Sequence, residues 1–489
     1  MDYFKRLLEL LKIEKEEDRR SYQQLTANMP VAERRLAGLT WYPIAIRDTE
    51  MSRGDYLVVE VERTTHQDII HQLRFGMTAA LFSNHDARTD RIEGVITHIT
   101  GNRLKLTLRT DELPDWSRNG KLGIDMVFDE VSYEEMEKAM KLAPVLAEKK
   151  EEGKLVNILT GEKEPTFIHD YPPFTHARLN ATQQEAVTKI LAANDLAIVH
   201  GPPGTGKTTT LVQAIKAIVA RDRKQVLVAA PSNAAVDLLS EKLSDEGLNV
   251  VRVGNPARVS EKLMSLTLDS KMSAHASMKE VKRLKKQASE YRDMAHKYKR
   301  NFGRDEREQR KALFAEARAV SKLVEETEQY IINDLLSKAQ VIAATLVGSN
   351  HYTVQHLRYD TVVIDEAGQS LEPSCWIPIL KARKVVLAGD HFQLPPTIKS
   401  TEAAQKGLSK TLLEKCVALH PASVVLLEEQ YRMNKLIMGY SSAVFYGNKL
   451  KAYAGVADRI LFEGDLPLLF IDTAGCGFEE KQEGTSISN

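Results

Sequence analysis

Residues 200–210 read HGPPGTGKTTT, and this segment limits the chain's architecture more than any other. Gly201, Gly206, Lys207 and Thr208 fill the fixed positions of G-x-x-x-x-G-K-[ST], with an apolar run before them and a helical run after. Such a loop needs a buried strand entering it and a helix leaving it, so the surrounding chain must be α/β. Its glycines let the backbone wrap closely around phosphate oxygens with N–H groups pointing inward. The following helix brings its positive end to the same place. Pro202, Pro203, Gly204, Thr205 and Thr209 complete the cradle. Lys207 is suited to neutralise the outer phosphates, and the Thr208 hydroxyl to join a magnesium shell. A ligand-free glycine turn would not need both flanks to agree.

Around the loop, short apolar runs alternate with helical patterns: Leu196–Val199, Gln225–Ala230, Val250–Val253, Val341–Ala344, Thr361–Ile364 and Lys384–Ala388. Uninterrupted apolar strands between helices predict a parallel sheet covered on both faces. From Pro256 to Ser337 the alternation stops and a long polar helical stretch intervenes. Lys279, Lys282, Arg283, Lys285 and Lys286 crowd its first part, followed by Arg292, Lys297, Lys299 and Arg300. An inserted helical hairpin is predicted, either a solvated pair laced with ion pairs or a surface for nucleic acid or ribonucleoprotein.

Residues 40–128 have a different period. Trp41–Ile46, Tyr56–Val61, Arg91–Ile96 and Leu104–Leu108 alternate, and Gly101-Asn102 suits a tight hairpin turn. These runs predict a small β-barrel. Helical patterns at Met1–Met29 and Ser132–Asn157 return both ends of the barrel to one place, as a two-helix stalk would. Phe4, Leu7, Leu8 and Leu11, with Leu10 beside them, share a helical face in the first, which reads as an amphipathic helix and not a signal peptide.

Composition sets the outer limits. With 489 residues, 43% hydrophobic and 27% charged, the chain has material for several cores and is not disordered in bulk. No apolar run approaches the roughly 18 residues of a membrane span. Cys375, Cys416 and Cys476 form no C-x-x-C pair, hence no disulfide framework and no zinc site, and a cytoplasmic location without membrane contact is expected. The 67 basic residues balance 67 acidic ones. Zero net charge neither requires nor excludes a nucleic acid, because a local basic surface is what decides.

The run Thr361–Ile364 ends in Asp365-Glu366-Ala367-Gly368-Gln369, which puts two carboxylates at the edge of the sheet where open α/β folds bind ligands. Asp365 suits magnesium, through water. Glu366 suits a base that orients and deprotonates water beside a γ-phosphate. Alone, such a pair reads as a solvated helix start; behind a phosphate loop it reads as catalytic. Gln393, after Lys384–Ala388, has donor and acceptor groups and would sense the γ-phosphate at the same edge, although a purely structural loop is the other reading. ATP and Mg2+ are the cofactors implied.

Taken in order, LNATQQEAV, GPPGTGKTTT, APSNAAVD, VVRVGNPARV, AATLVGS, DEAGQS, GDHFQLPPT and EEQYRMN resemble superfamily 1 helicases of the up-frameshift type. The likeness is strongest to the immunoglobulin mu-binding helicase and its bacterial relatives, and covers about Leu179 to Gly447. It implies ATP hydrolysis coupled to movement, 5′ to 3′, on single-stranded RNA or DNA, with the barrel and basic insertion as accessory subdomains; separately, a monomer is expected. Gln183 corresponds to a glutamine that reads adenine; by itself it reads as an exposed helix residue. Tyr431 and Arg432 correspond to a pair from the second RecA-like domain, the tyrosine packing on the base and the arginine reaching the γ-phosphate as a finger. Pro231, Ser232, Asn233 and Thr345, with Asp237, match the nucleic-acid path, while Ser232 and Asn233 equally suit a plain helix cap. His200, Cys375, Cys416 and Trp376 read as packing residues. Two other functions stay open: an ATPase that remodels ribonucleoprotein, or a nucleotide-switched module gripping nucleic acid or ribosomes.

The expected fold class is α/β: a RecA-like phosphate-loop NTPase core with an inserted small β-barrel on a helical stalk and a basic helical insertion, followed by part of a second RecA-like domain. The divisions are 1–30 and 131–160 for the stalk, 31–130 for the barrel, 161–255 and 338–415 for the first core domain, 256–337 for the insertion, and 416–489 for the second. The family's Q-G-x-E and T-R-A-R motifs do not occur, and beyond Gly447 only Leu468–Ile471 reads as a strand. A fragment that binds ATP and Mg2+ but unwinds weakly or not at all is therefore expected.

Overall fold

The computed structural model describes residues 2–26, 29–51, 56–73, 77–86, 89–108, 110, 112–254, 259, 261–296, 304–462, 464, 466–469, 471–472, 476, 481–483 and 486–488. Six strands close a barrel: β1 (Thr40–Met51), β2 (Leu57–Arg63), β3 (Thr78–Ser83), β4 (Arg91–Thr100), β5 (Arg103–Leu108) and β6 (Leu122–Met126), in the order β1-β2-β5-β4-β3-β6. Alternation does the work in β5, whose Leu104, Leu106 and Leu108 fill the interior at 0% exposure. Gly101, at φ +57°, turns β4 into β5. Sequence patterning misses β3 and β6. Ala79 to Phe82 are buried on both sides of β3, which removes the period of two, and β6 is short, with Gly123 under the Phe82 ring.

The stalk helix Asp2–Thr26 uses two faces. Phe4, Leu7 and Leu11 join the main core with Met136, Met140 and Trp376, whereas Leu10 packs on Ala403 and Leu408, and Leu8 is only partly buried. The second stalk pattern is broken into Glu130–Ala147 and Lys154–Leu159. Glu14, 2% exposed, accepts hydrogen bonds from the Lys399 and Ser400 amides at 2.7 and 2.8 Å, fastening the stalk to the segment that follows Gln393. Glu14→Ala would strand both amides. We expect it to cost about 1–3 kcal/mol in denaturant unfolding, and Glu14→Gln, which keeps one acceptor oxygen, to cost less.

The central sheet contains β7 (Leu196–His200), β8 (Val226–Ala230), β9 (Val250–Arg252), β10 (Val341–Thr345), β11 (Tyr359–Ile364), β12 (Ala382–Gly389) and β13 (Val424–Leu426). Their order is β13-β7-β12-β11-β8-β10-β9, and every pairing is parallel. β13 pairs with β7, so the first sheet takes an edge strand from beyond residue 415, where the sequence pattern suggests a new domain. Helices Met278–His296 and Arg304–Lys338 form the inserted hairpin around Val281, Leu284, Ala288, Val320 and Val324. Its charges are partly neutralised locally, as in Lys285–Glu328 at 3.0 Å and Arg283–Glu280 at 2.6 Å, while Lys279 and Lys282 stand exposed. Pro256, the Arg292 side chain, Lys297, Lys299 and Arg300 lie outside the described residues.

Leu468, Leu469 and Ile471 are not in a strand, against expectation, and Phe470 lies outside the described residues. The polar end pairs Lys481–Glu483 with Ser486–Ser488 instead. No described helix is long and apolar enough to cross a membrane.

Candidate active site

The phosphate loop leaves β7 at His200 and is tied at once to β12, the Gly201 amide donating to Gly389 O at 3.0 Å. Thr205 Oγ1 closes the turn on Pro202 O at 2.7 Å. Gly204 and Gly206 adopt φ +77° and +76°, where a side chain would be strained. The helix Lys207–Asp222 starts without any side-chain cap, so its first amide donors have no capping side chain. Thr208 is half-buried in its first turn and Thr209 is exposed.

Lys207 bridges this loop to the acids. Its Nζ lies 2.7 Å from Glu366 Oε1 and 3.5 Å from Asp365 Oδ1. Burial pushes the Asp365 carboxyl above the usual carboxylate range, with Lys207 pulling the other way. Glu366 sits at φ +54°, a costly conformation for a residue with a side chain and one that collects at functional sites. The strand ends, the loop and the two acids thus meet at one edge of the sheet.

Gln183 does not lie on an exposed helix surface. It is 4% exposed, its Oε1 accepting from the Asn180 amide at 3.0 Å and its Nε2 donating to Thr205 O at 2.9 Å. This completes a capping box for Ala181–Ala192 and presses the helix start against the loop. Beside it, the Tyr431 amide donates to Gly204 O at 2.9 Å, and Asn180 Nδ2 donates to the Tyr431 hydroxyl at 2.9 Å. A Cβ added at Gly204 would come within 2.6 Å of Arg432 Cβ. Arg432 is exposed, and among the described residues its guanidinium has no ion pair or hydrogen bond.

Gln393 is turned to a different partner. Its Nε2 donates to Asp390 Oδ2 at 2.8 Å, and its side chain makes no hydrogen bond to Asp365, Glu366 or Lys207. His200, expected only to pack, hydrogen-bonds Asp390 Oδ1 through Nε2 at 2.9 Å. Burial works against ionisation of Asp390, yet the His200, Tyr446 and Gln393 hydrogen bonds hold its carboxyl down at about 2. This polar centre could not be found from spacing, because His200 meets the end of β12 only through the register of two parallel strands.

Pro231, Asn233 and Thr345 line a cleft of about 670 Å³ whose other wall includes Thr78, Glu93 and Val95 of the barrel. Ser232 is not in that lining. It caps Asn233–Asp245 by accepting the Ala235 amide at 3.2 Å, and the Thr345 hydroxyl accepts the Gly348 amide at 3.0 Å. Arg252, which sequence patterning passes over, is 2% exposed at the end of β9. It donates to Asp237 Oδ1 at 3.1 Å and to Asn233 Oδ1 at 2.7 Å, holding the asparagine from beneath.

Two family models, each described as an AAA domain, match residues 178–401 and 408–489. DNA-binding protein SMUBP-2 of Mesocricetus auratus is 36% identical over 418 residues, which are 81% of this chain and 41% of that protein. The chain thus spans about two fifths of that relative's length. An uncharacterized ATP-dependent helicase of Methanocaldococcus jannaschii is 30% identical over 483 residues, covering 89% of this chain and 68% of its own. Among solved structures, Arterivirus nonstructural protein 10 (helicase) aligns with 88% of this chain and 62% of its own at 10% identity; its TM-score of 0.33 is too low to carry weight.

Proposed function

The chain belongs to the Upf1-like superfamily 1 helicases, and from that membership we propose that it hydrolyses ATP to move on single-stranded RNA or DNA, 5′ to 3′. The convergence of Lys207 with Asp365 and Glu366 is the observation that carries the hydrolysis in this reading, while movement and its direction rest on the family alone. An ammonium shared by two acids is a cation ready to be handed to the β- and γ-phosphates, after which Glu366 is free to accept a proton from water. Asp365 and Thr208 are the residues that would hold Mg2+, which screens phosphate charge. A buried carboxylate whose only close cation among the described residues is a lysine claimed by phosphate fits that role.

Among the described residues Gln183 keeps one amide hydrogen and one oxygen lone pair uncommitted, which is what the N7 and N6 edge of adenine requires. Tyr431 would pack on the base, and Arg432 would reach the γ-phosphate from the other side of the loop. Pro231, Ser232, Asn233 and Thr345 would track the strand through its phosphates, which positions it without reading sequence. Phosphate release should therefore rise when single-stranded RNA or DNA is titrated into the 489-residue chain with ATP. Hydrolysis indifferent to both nucleic acids would overturn the reading.

A further inference from the structure

Asp390 accepts four hydrogen bonds. His200 Nε2 at 2.9 Å and the Phe392 amide at 3.1 Å share Oδ1, while Gln393 Nε2 at 2.8 Å and the Tyr446 hydroxyl at 2.7 Å share Oδ2. Three of these donors lie within the first matched region, residues 178–401, but Tyr446 comes from the second, 408–489, directly after the helix Lys435–Phe445. Tyr446 is 7% exposed, with its ring edge-on to Phe392 at 5.6 Å and tilted against His200 at 5.8 Å. A hydroxyl buried this way cannot leave its carboxylate unless the whole residue moves.

Two donors on one oxygen weaken each other, since each draws on the same negative charge. Removing the Tyr446 proton would tighten the grip of Asp390 on the Gln393 amide. Resting on the nucleotide reading above, a terminal phosphate that engages Gln393 must draw on an amide whose direction Asp390 sets through one of its two hydrogens. We propose that Tyr446 is a positioning residue that sets how firmly Asp390 withholds Gln393, so that Gln393 and the Lys435–Phe445 helix report on each other. The coupling runs both ways: a terminal phosphate that draws Gln393 away changes the bond at Tyr446, and a shift of the helix changes the availability of the glutamine.

The full chain labelled with fluorotyrosine tests this by fluorine NMR, the 446 resonance being assigned by its loss in Tyr446→Phe. Magnesium with a non-hydrolysable ATP analogue should shift that resonance, and magnesium with ADP should not. In Gln393→Ala neither should, while the Tyr431 resonance still reports binding. Tyr446→Phe should weaken the analogue by about threefold to tenfold, leave ADP within about twofold, and lose its effect on the Gln393→Ala background. A 446 resonance unmoved by bound analogue, or equal weakening of analogue and ADP as a packing role would give, overturns the inference and leaves the nucleotide reading intact. A wild-type chain that binds neither nucleotide overturns that reading and this inference together.

Discussion

Glu366→Gln should lower ATP turnover by about 10²–10⁴-fold while ATP binding is kept or strengthened. The carboxylate lies 2.7 Å from Lys207 Nζ, so in the absence of nucleotide it is the lysine's first partner. The amide that replaces it has nearly the same shape but cannot take a proton from water, and it no longer competes with phosphate for the ammonium. Asp365 still faces the same lysine at 3.5 Å, so the site does not become a lone buried cation. Turnover at saturating ATP and the affinity for a fluorescent analogue separate the two effects. A raised KM with unchanged kcat would mean that Glu366 only binds, and the assignment of a base would fall.

The parts of this site that are legible in the sequence are those built within a few residues of one another. Gly201 to Thr209 form one loop and the helix start that follows it, and Asp365-Glu366 directly follow a single strand, so spacing alone nearly specifies their geometry. The polar centre on Asp390 is different. His200 is 190 positions away and Tyr446 is 56, and they meet through strand register and through contact between the two matched regions. Arg252 escapes notice because an arginine at a strand end is ordinarily solvated, and only the positions of Asp237 and Asn233 make its burial tolerable. Gln183 shows the reverse case. Its motif is clear, but its burial follows from a capping box and from contact with Thr205 O, neither of which the motif implies. In the fold, β3 and β13 are lost for a related reason: one is buried on both faces and the other is three residues long at the sheet edge.

Arg432→Ala is expected to have an effect of similar or larger size, about 10³–10⁵ in kcat, with ATP affinity and unfolding free energy little changed. An arginine that helps hold the fold would leave a partner stranded when removed, but this guanidinium makes no ion pair or hydrogen bond among the described residues. Its backbone is nevertheless fixed. The Arg432 amide donates to Gln430 Oε1 at 2.8 Å, and the neighbouring Tyr431 amide donates to Gly204 O at 2.9 Å. An exposed cation on a fixed backbone beside the phosphate loop has little to do until a γ-phosphate arrives, and a group that acts only then lowers the barrier without tightening the ground state. Arg432→Lys should recover only a small part of the loss, because a point charge cannot reproduce a planar, two-pronged contact to phosphate oxygens. Turnover at saturating ATP and single-stranded nucleic acid, with an unfolding curve for each variant, decides the matter. If Arg432→Ala retains more than about a tenth of wild-type turnover, the transition-state charge is met by Lys207 and its metal alone, and the second matched region does not take part in the chemistry.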